Sequence, residues 1–441
     1  MESVTYQGRD LAFKLVNHIL VLSDPAPVVK RCLRQLGIGL VEICGRRFKT
    51  RHVAVVAIGK AAPRLIDGAL GSIEATRALA VIPRGWVRPR VSGVEVIEST
   101  HPLPSDLSIK AAEEIIELSR TLGRGDLVIF LISGGGSALV ELPRPPLTIE
   151  DLTELNRLML SSGMSISEIN TVRKHVSMVK GGQSARYFTS RGISVVGLYV
   201  SDVPGDDPSL IASGPTVPDK SSFADAVNVL KVRGIWGSAP AVVKSLLEDG
   251  VKGVVPETPK RLRAFNRVIL TNMDVLRGLK TMLSELGLRS VILTSRLEGE
   301  AREVGKALAS MALDSARRGT LLRKGVLLAG GEPTVTVRGG GRGGRTMELA
   351  ASFAKSVSGQ GKVSILTLAT DGIDGNTDAA GAYADHTTES RALAAGLSID
   401  ESLSNNDTYT LFNRLNDLVV TGPTGTQVNM VSLILVNVTG G

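Results

Sequence analysis

The chain has 441 residues, of which 43% are apolar and 21% charged, and its formal net charge is +8. This length favours two domains, because a single hydrophobic core stops growing at about 250–300 residues. Aromatic residues are only 3% of the chain, which argues against a protein that binds single-stranded nucleic acid by stacking. The positive charge also suits small anionic substrates.

The N-terminal half begins with two predicted helices, at Asp10–Leu22 and Pro27–Cys44, separated by the breaker SDPAP. Short β-branched runs then alternate with helical segments. VAVVAIG at 53–59 predicts a buried strand that leads into a helix at Lys60–Leu70, and DLVIFLIS at 126–133 predicts a second buried strand. Continuous apolar strands separated by helices indicate sheets that are covered on both faces.

A second series of strands and helices occupies the C-terminal part of the chain. GVLLAGG at 325–331 and VSILTLATDG at 363–372 predict strands, TVTVRG at 334–339 predicts another, and helices are expected from Glu300 and Thr346.

The run at 221–250 lies between the two series and lacks a strong strand. We therefore expect a domain boundary near residue 235. The predicted fold is two α/β domains with largely parallel sheets covered by helices: a Rossmann-like domain at 1–235 and a second α/β domain at 236–441.

Two cysteines, Cys32 and Cys44, have a spacing that matches no common zinc pattern. We expect reduced core residues rather than a disulfide, because such sparse usage is typical of a reducing cytosol. The first residues show no signal-peptide pattern, and no apolar stretch reaches the ~18–20 residues of a membrane span. These features predict a cytoplasmic protein without a membrane or nucleic-acid partner.

The segment VRGGGRGGRTMELA at 337–350 sets Arg338, Arg342 and Arg345 among five glycines. Gly and Arg suit either an RNA-binding arm or a loop that wraps backbone N–H groups around a small anion. An RNA arm is typically repeated, terminal and disordered. Here the segment stands between a predicted strand and a predicted helix, which favours binding of a phosphate or a carboxylate at the helix start.

A second glycine-rich loop, SGGGS at 133–137, follows a predicted strand. Glycines at a strand end let a ligand approach the backbone, although a tight turn also explains them. Lys60 stands at another strand-to-helix turn. Its ammonium could neutralise a phosphate, or it could be a solvated lysine at a helix start.

Acidic residues concentrate in two loops that each follow a predicted strand. Carboxylates at strand ends suit Mg²⁺, which bridges few carboxylates to substrate phosphates, although Asp-Gly turns and caps also explain them. The residues are Asp202, Asp206 and Asp207 in the first loop, and Asp371, Asp374 and Asp378 in the second.

Taken in order, the motifs resemble those of the glycerate 2-kinase family over nearly the whole chain. They are AIGKAA (57–62), LISGGGSALV (131–140), KHVSMVKGG (174–182), SDVPGDDPSLIASGPT (201–216), AGGEPTV (329–335), GGRTMELA (343–350), TDGIDGNTDAAGA (370–382) and TGPTGT (421–426). The chain departs from the family's usual pattern at four positions: Thr346, Met347, Gln427 and Met430.

The resemblance implies that ATP and Mg²⁺ serve the phosphorylation of D-glycerate to 2-phosphoglycerate, in a cleft between two α/β domains, the second of MOFRL type. It also implies small-molecule partners only and is compatible with a homodimer. We assign Lys60, Arg345 and Asp202 to catalysis, and Asp207, Asp371 and Asp374 to the metal, although these aspartates could exchange the roles of ligand and base. The expected substrate- and nucleotide-binding residues are Ser133, Gly134, Gly135, Gly136, Ser137, Lys174, Gly214, Glu332, Gly344 and Thr424.

Phosphoryl transfer requires mainly positioning and charge cancellation, which backbone N–H groups, Lys, Arg and Mg²⁺ supply. Two other enzymes remain as alternatives: a kinase for another hydroxy acid, and a hydroxypyruvate reductase, a label that some similar sequences carry. A dinucleotide-dependent reductase would need a GxGxxG fingerprint after a strand, and no strand here leads into one. A non-catalytic RNA- or anion-binding module is the third alternative.

Overall fold

A computed structural model describes residues 8–360 and 362–438. Residues 1–7, on which part of the signal-peptide prediction rests, lie outside the described residues. The chain forms two compact units. We call residues 25–201 and 206–270 the N-terminal unit, and residues up to 24, 202–205 and from 271 onward the C-terminal unit.

The elements up to residue 270 alternate between strands and helices as the hydropathy pattern predicts. In chain order they are α1 (Gly8–Ser23), α2 (Pro25–Cys32), β1 (Leu33–Gly37), β2 (Leu40–Ile43), β3 (Arg46–Lys49), β4 (Val53–Ile58), α3 (Ala62–Leu70), β5 (Arg77–Pro83), β6 (Glu95–Ser99), α4 (Asp106–Thr121), β7 (Leu127–Ile132), α5 (Gly136–Leu139), α6 (Ile149–Ser161), α7 (Ile166–Val176), α8 (Gln183–Thr189), β8 (Ser194–Val200), α9 (Phe223–Val232), α10 (Ala241–Val251) and β9 (Ala264–Leu270).

The elements after residue 270 follow the same alternation in their first half. They are α11 (Asn272–Glu285), β10 (Ser290–Leu297), α12 (Ala301–Arg318), β11 (Gly325–Gly331), α13 (Arg345–Val357), β12 (Val363–Ala369), β13 (Gly381–Asp385), α14 (Thr388–Ala394), α15 (Ile399–Ser404), α16 (Thr408–Arg414), β14 (Leu418–Val419) and β15 (Met430–Val436).

The N-terminal unit contains a six-stranded sheet in the order β6-β5-β4-β7-β8-β9, with every neighbouring pair parallel. Every residue of β4 and β7, the two central strands, is buried. This confirms the predicted parallel sheet covered on both faces. The carboxyl ends of parallel strands lie at one edge of the sheet, so the loops after β4, β6 and β7 share that edge.

The compact units are not divided at residue 235. Residues 236–270 belong to the N-terminal unit, because β9 adds to the edge of its sheet through parallel pairing with β8. In addition, α10 packs on α9 through an apolar cluster that includes Phe223, Leu230 and Val243. Helix α1 belongs instead to the C-terminal unit, where it contacts α11 and β12.

The second predicted helix, Pro27–Cys44, is wrong beyond Cys32. α2 ends there, and β1, β2 and β3 form a small antiparallel sheet. Gly39 and Gly45 have φ values of +69° and +83°, in the left-handed region that glycine adopts readily, and these turns interrupt the helix pattern.

The expectation that Cys32 and Cys44 are reduced is also wrong, since the two residues form a disulfide with their Cα atoms 4.5 Å apart. The pairing of Leu33 with Ile43 in the hairpin places the cysteines opposite each other. Disulfides occur in oxidising compartments and also in intracellular proteins of hyperthermophiles, so the bond does not identify the compartment.

The C-terminal sheet is mixed, which corrects the prediction of largely parallel sheets for this unit. Its order is β10-β11-β15-β12-β13-β14, and only β10 and β11 pair in parallel. The last strand, β15, inserts between β11 and β12 and runs antiparallel to both. All residues of these three strands are buried, so their hydropathy does not distinguish strand directions.

The predicted strand TVTVRG is not formed; within it, Thr334 makes one isolated bridge to Glu300. The following glycine–arginine loop is fixed by hydrogen bonds. The backbone N–H groups of Arg338 and Gly339 donate to Asn406 Oδ1 at 2.7 and 3.0 Å, and Arg342 N donates to Asp407 Oδ1 at 3.1 Å. The predicted helix after the loop is present as α13.

None of the helices in the described part of the chain has the length and apolar content required to cross a membrane.

Candidate functional site

Lys60 lies at the carboxyl end of β4 and is positioned by the glycine-rich loop that follows β7. Its backbone N–H donates to Gly134 O at 2.9 Å. Gly59, with φ +118°, leaves no space for a side chain, because a Cβ there would lie 2.3 Å from Ser133 Oγ. Ser133 Oγ also accepts a hydrogen bond from Ala61 N at 3.0 Å. The predicted loop residues therefore hold the turn that presents Lys60.

The 134–137 loop has backbone donors that are not used within the protein. Across residues 8–360 and 362–438, no protein acceptor is hydrogen-bonded to the N–H groups of 134–137. Gly135 is in the left-handed region, with φ +86°. Four successive free N–H groups next to a lysine form a surface suited to an anion.

Two aromatic side chains that sequence reasoning did not assign lie at this loop. Trp86 Nε1 donates to Lys60 O at 2.8 Å, and Lys60 Nζ lies 6.0 Å from the centroid of the Trp86 ring. The His101 ring borders Gly135: a Cβ on this glycine would be 3.3 Å from His101 Cδ2. A useful signal in the sequence was the position of both residues after strands of the same parallel sheet.

The loop after β8 packs on the 133–137 loop and fixes its last residue. Ser137 Oγ lies 2.8 Å from Ser213 Oγ, and Ser213 Oγ donates to Asn170 Oδ1 at 2.7 Å. Ala212 and Ser213 have φ values of +49° and +59°, a region that costs energy for residues other than glycine. Such local strain is often found at functional sites.

Lys174 and Gly214 have structural contacts in the N-terminal unit. Lys174 is 6% exposed, and its Nζ lies 3.4 Å from Asp219 Oδ1. Gly214, with φ +61°, accepts a hydrogen bond from Gly182 N at 2.8 Å. These contacts account for both residues through loop packing, so their assignment to ligand binding stays a prediction.

In the C-terminal unit, Arg345 is the first residue of α13 and its guanidinium is held by two side chains. Nη1 donates to Glu332 Oε1 at 2.8 Å, and Nη2 donates to Asn429 Oδ1 at 3.2 Å. Asn429 Nδ2 donates in turn to Glu332 Oε2 at 3.3 Å and to the carbonyl of Asp202. Asn429, which sequence reasoning missed and which lies three positions after the TGPTGT motif, joins three predicted residues into one cluster.

Charge around Arg345 favours its protonated form. Burial alone would lower the pKa of the guanidinium, but the charge and hydrogen bond of Glu332, together with Asp374 and Asp371, raise it above its ordinary value. The side chain is still 26% exposed. A fixed, permanently charged guanidinium of this kind suits recognition of a carboxylate or a phosphate.

Asp374 caps α13, a role that competes with metal binding. Its carboxylate accepts hydrogen bonds from Thr346 Oγ1 at 2.6 Å, Met347 N at 3.0 Å and Thr346 N at 3.2 Å. Burial raises the pKa of Asp374, although these donors act to lower it. Gly344 contacts this carboxylate so closely that a Cβ would lie 2.3 Å from Oδ1. Thr346, a departure from the family pattern, is therefore a partner of the cap.

The other two predicted metal ligands each accept hydrogen bonds within their own loop. Asp371 Oδ1 accepts from Ile373 N at 3.2 Å, and its carbonyl accepts from Thr424 N at 3.1 Å. Asp207 Oδ1 accepts from Ser209 N at 2.8 Å in an exposed turn. Among the residues that the structure describes, no group of three or more His, Cys, Asp or Glu side chains is arranged to hold a metal ion. The assignment of Asp207, Asp371 and Asp374 to a metal ion therefore stays a prediction.

Known proteins share both the sequence pattern and the fold. Residues 11–248 match a family model described as a domain of unknown function (DUF4147), and residues 325–430 match the MOFRL family model. The chain is 36% identical over 433 residues to the glycerate 2-kinase of Pyrococcus horikoshii, covering 97% of both chains. It is 40% identical over 395 residues to a putative hydroxypyruvate reductase of Agrobacterium vitis, covering 87% of this chain and 86% of that one.

The solved structure of glycerate kinase from Thermotoga maritima has the same fold, with a TM-score of 0.82 and 36% identity over 97% of this chain and 99% of that chain. The identity over nearly full length, the order of the two family models and the fold all agree. The chain belongs to the glycerate 2-kinase family.

Proposed function

We propose that the protein transfers the γ-phosphoryl group of ATP to the 2-hydroxyl of D-glycerate, giving 2-phosphoglycerate and ADP. Relatives that carry the names glycerate 2-kinase and D-glycerate 2-kinase align over 96–97% of this chain, which supports the reaction class. We further infer small-molecule partners only and a cytoplasmic location, and the proposed reaction is compatible with a homodimer.

The observation that carries this proposal is the placement of Lys60 beside the free N–H groups of the 134–137 loop. Phosphoryl transfer requires the reacting groups to be held in line while negative charge is cancelled. A lysine side chain that passes beside several backbone donors brings positive charge and N–H groups to one place, which is the environment that this reaction needs. We assign Lys60 to the transferring phosphoryl group or the glycerate carboxylate, and residues 133–137 to the surrounding cradle.

Arg345 supplies a second cationic contact in this proposal. Its orientation by Glu332 and Asn429 supports a directed hydrogen bond to a phosphate or carboxylate oxygen. Asp202, whose carbonyl is bound by Asn429, is our proposed acceptor of the hydroxyl proton. Gly344 packs against the Asp374 carboxylate, and Thr424 N donates to the Asp371 carbonyl. The charges of both aspartates act on Arg345.

Mg²⁺ enters the proposal as a companion of ATP. The ion usually keeps several water ligands and is bound by one or two carboxylates together with substrate phosphates. Asp374 does not fit as a ligand, because its carboxylate caps α13. Asp371 remains the proposed carboxylate, and no step of the reaction is assigned to the metal.

The test is an incubation of the protein with ATP, Mg²⁺ and D-glycerate, followed by coupling of the product to enolase alone. Enolase consumes 2-phosphoglycerate but not 3-phosphoglycerate, so immediate formation of phosphoenolpyruvate supports the proposed position of transfer. Release of ADP without that signal would move the transfer to the 3-hydroxyl. Oxidation of NADH with hydroxypyruvate, and no ADP release with any hydroxy acid, would replace the kinase with a reductase.

A further inference from the structure

We propose that His101 contacts the hydroxy-acid substrate, as a third ligand-binding side chain beside Lys60 and the 134–137 loop. The inference rests on the proposed function, and it adds a residue that neither the sequence motifs nor the reaction class assigned. It places the substrate's carboxylate and 3-hydroxyl, rather than the nucleotide, against this histidine.

The geometry that supports this proposal centres on the Cα of Gly135. A Cβ built there would lie 3.3 Å from His101 Cδ2, 3.5 Å from His101 Nε2 and 3.4 Å from Lys60 Cγ. The imidazole edge and the Lys60 stem thus flank the same face of one left-handed glycine. His101 Nε2 and the Lys60 side chain therefore both lie within 3.5 Å of the position that a Cβ of Gly135 would take.

The topology explains why the three residues meet. His101 follows β6, Lys60 follows β4 and Gly135 follows β7, and these strands are parallel members of one sheet. Loops after parallel strands converge at the carboxyl edge, where ligands of open α/β sheets bind. The fold therefore places His101 near Lys60, although the two residues are far apart in the sequence.

The chemistry of the group favours an acid over a nucleotide. An imidazole offers one N–H donor and one acceptor in its neutral form. D-glycerate has a carboxylate, which accepts hydrogen bonds, and two hydroxyls, each of which can donate one. Lys60 and the free N–H groups of 134–137 act only as donors. Among these groups, His101 can also accept a hydrogen bond, and because Asp202 is the proposed acceptor of the 2-hydroxyl proton, the hydroxyl that donates to His101 is the 3-hydroxyl.

The chain provides its own controls for a protection experiment. Diethyl pyrocarbonate modifies accessible histidines, and His101, His18 and His52 are all exposed, whereas His175 is fully buried. We would measure the rate of modification of each histidine by peptide mass spectrometry in wild-type protein, alone, with saturating D-glycerate, and with saturating MgATP. The expected result is that D-glycerate slows modification of His101 at least tenfold and leaves His18 and His52 unchanged.

The matched variants are His101→Gln and His52→Gln. We expect His101→Gln to raise the KM for D-glycerate at least tenfold with an unchanged KM for ATP and an unchanged melting temperature, while His52→Gln behaves as wild type. Equal modification of His101 with and without D-glycerate, in wild-type protein that turns D-glycerate over, would overturn this inference alone. Protection by MgATP only would also overturn it, and absence of D-glycerate turnover by wild-type protein would overturn the proposed function instead.

Discussion

Glu332 orients Arg345: Oε1 of the carboxylate lies 2.8 Å from Nη1 of the guanidinium. The second guanidinium nitrogen donates to Asn429, and Asn429 returns a hydrogen bond to Glu332. The three side chains therefore form a closed ring in which each restrains the other two. A side chain restrained in this way loses little conformational entropy when it binds an anion.

Replacement of Arg345 by Lys should separate charge from geometry. A lysine keeps the positive charge but cannot donate to Glu332 and Asn429 with the planar fork of a guanidinium. We expect kcat to fall about 10²–10³-fold, the loss typical of one oriented donor to developing charge, with little change in melting temperature. Arg338→Lys in the same loop is the control, since Arg338 is exposed. Wild-type turnover by Arg345→Lys would remove Arg345 from the proposed site.

Lys60→Met tests the N-terminal half of the proposal. The proposed role predicts a loss on the order of 10²–10³ in kcat, about 3–4 kcal/mol of activation free energy, in a protein that folds normally. Lys60→Arg should recover little, because the planar head differs from a compact point charge. ADP release and melting temperature are measured for each variant beside Lys49→Met, which alters an exposed strand residue. Turnover of Lys60→Met within a few-fold of wild type would make Lys60 a solvated helix-start residue.

The N-terminal sheet was predictable because its strands are short, apolar and separated by well-marked helices. Ser105 caps α4 as its position suggests: its side chain accepts from Leu107 N at 3.2 Å. The failure occurred at 33–44, where the alternation of buried and exposed residues in two short antiparallel strands resembles an amphipathic helix over a few residues. The glycine turns at Gly39 and Gly45 were the evidence against a helix.

The direction of strands in the C-terminal sheet was not predictable from hydropathy. β15 is the last strand in sequence but lies in the middle of the sheet, between β11 and β12. A strand buried on both faces has the same apolar pattern in either direction. Only the long-range pairing of Leu327 with Ile434 and of Ile365 with Ile434 reveals its place.

The site was predictable as a set of loops but not as a set of side-chain roles. A strand end followed by a glycine correctly located the turn at Lys60, and the glycine–arginine loop correctly located the start of α13, although the strand predicted before that loop is not formed. The contacts of Asp374 depend on where α13 begins in space, and a sequence pattern does not distinguish a helix cap from a metal ligand. Similarly, the hydrogen bond from Asn429 to Glu332 joins residues that are 97 positions apart, so a local sequence pattern does not indicate it.

Asp374→Asn distinguishes the cap from a metal ligand. An amide nitrogen cannot accept the hydrogen bonds that the second carboxylate oxygen now accepts from Thr346 Oγ1 and Met347 N. We expect unfolding free energy to fall by about 1–3 kcal/mol, the cost of unsatisfied buried groups, without change in the Mg²⁺ concentration for half-maximal activity. Asp378→Asn, in the same loop with a side chain 71% exposed, is the control. A raised Mg²⁺ requirement with unchanged stability would instead support metal binding.

Reduction of the Cys32–Cys44 disulfide should destabilise the β1–β2 hairpin. A crosslink over a sequence separation of 12 constrains a short loop in the unfolded chain, which is worth roughly 2–3 kcal/mol. We expect the Cys32→Ser, Cys44→Ser double variant to unfold at a lower urea concentration than wild type. Its free energy of unfolding should be lower by that amount. Alkylation under denaturing conditions without reductant should leave wild-type protein unmodified. Two alkylated cysteines in freshly purified protein would show that the bond is not formed.

The interaction of Glu257 with His175 predicts a pH-dependent contribution to stability. Glu257 Oε1 lies 3.1 Å from His175 Nε2 and accepts from Thr258 N at 3.0 Å. Burial acts to raise the pKa of Glu257, but the contact with His175 and the hydrogen bond from Thr258 outweigh it and lower the pKa from its ordinary value of 4.5 to about 2. The folded protein therefore holds this carboxylate ionised at pH values where the unfolded chain protonates it.

A carboxylate whose pKa is lower in the folded state stabilises the protein fully above its unfolded pKa, and the contribution is lost as the pH falls through the folded pKa. Glu257→Gln should therefore be less stable than wild type at pH 7, with a difference that shrinks as the pH falls from about 4.5 towards 2. Urea unfolding of both proteins between pH 7 and pH 3 measures it, with Glu248→Gln on the exposed side of α10 as the control. A difference that stays constant across this range would mean that Glu257 contributes through packing and not through its charge.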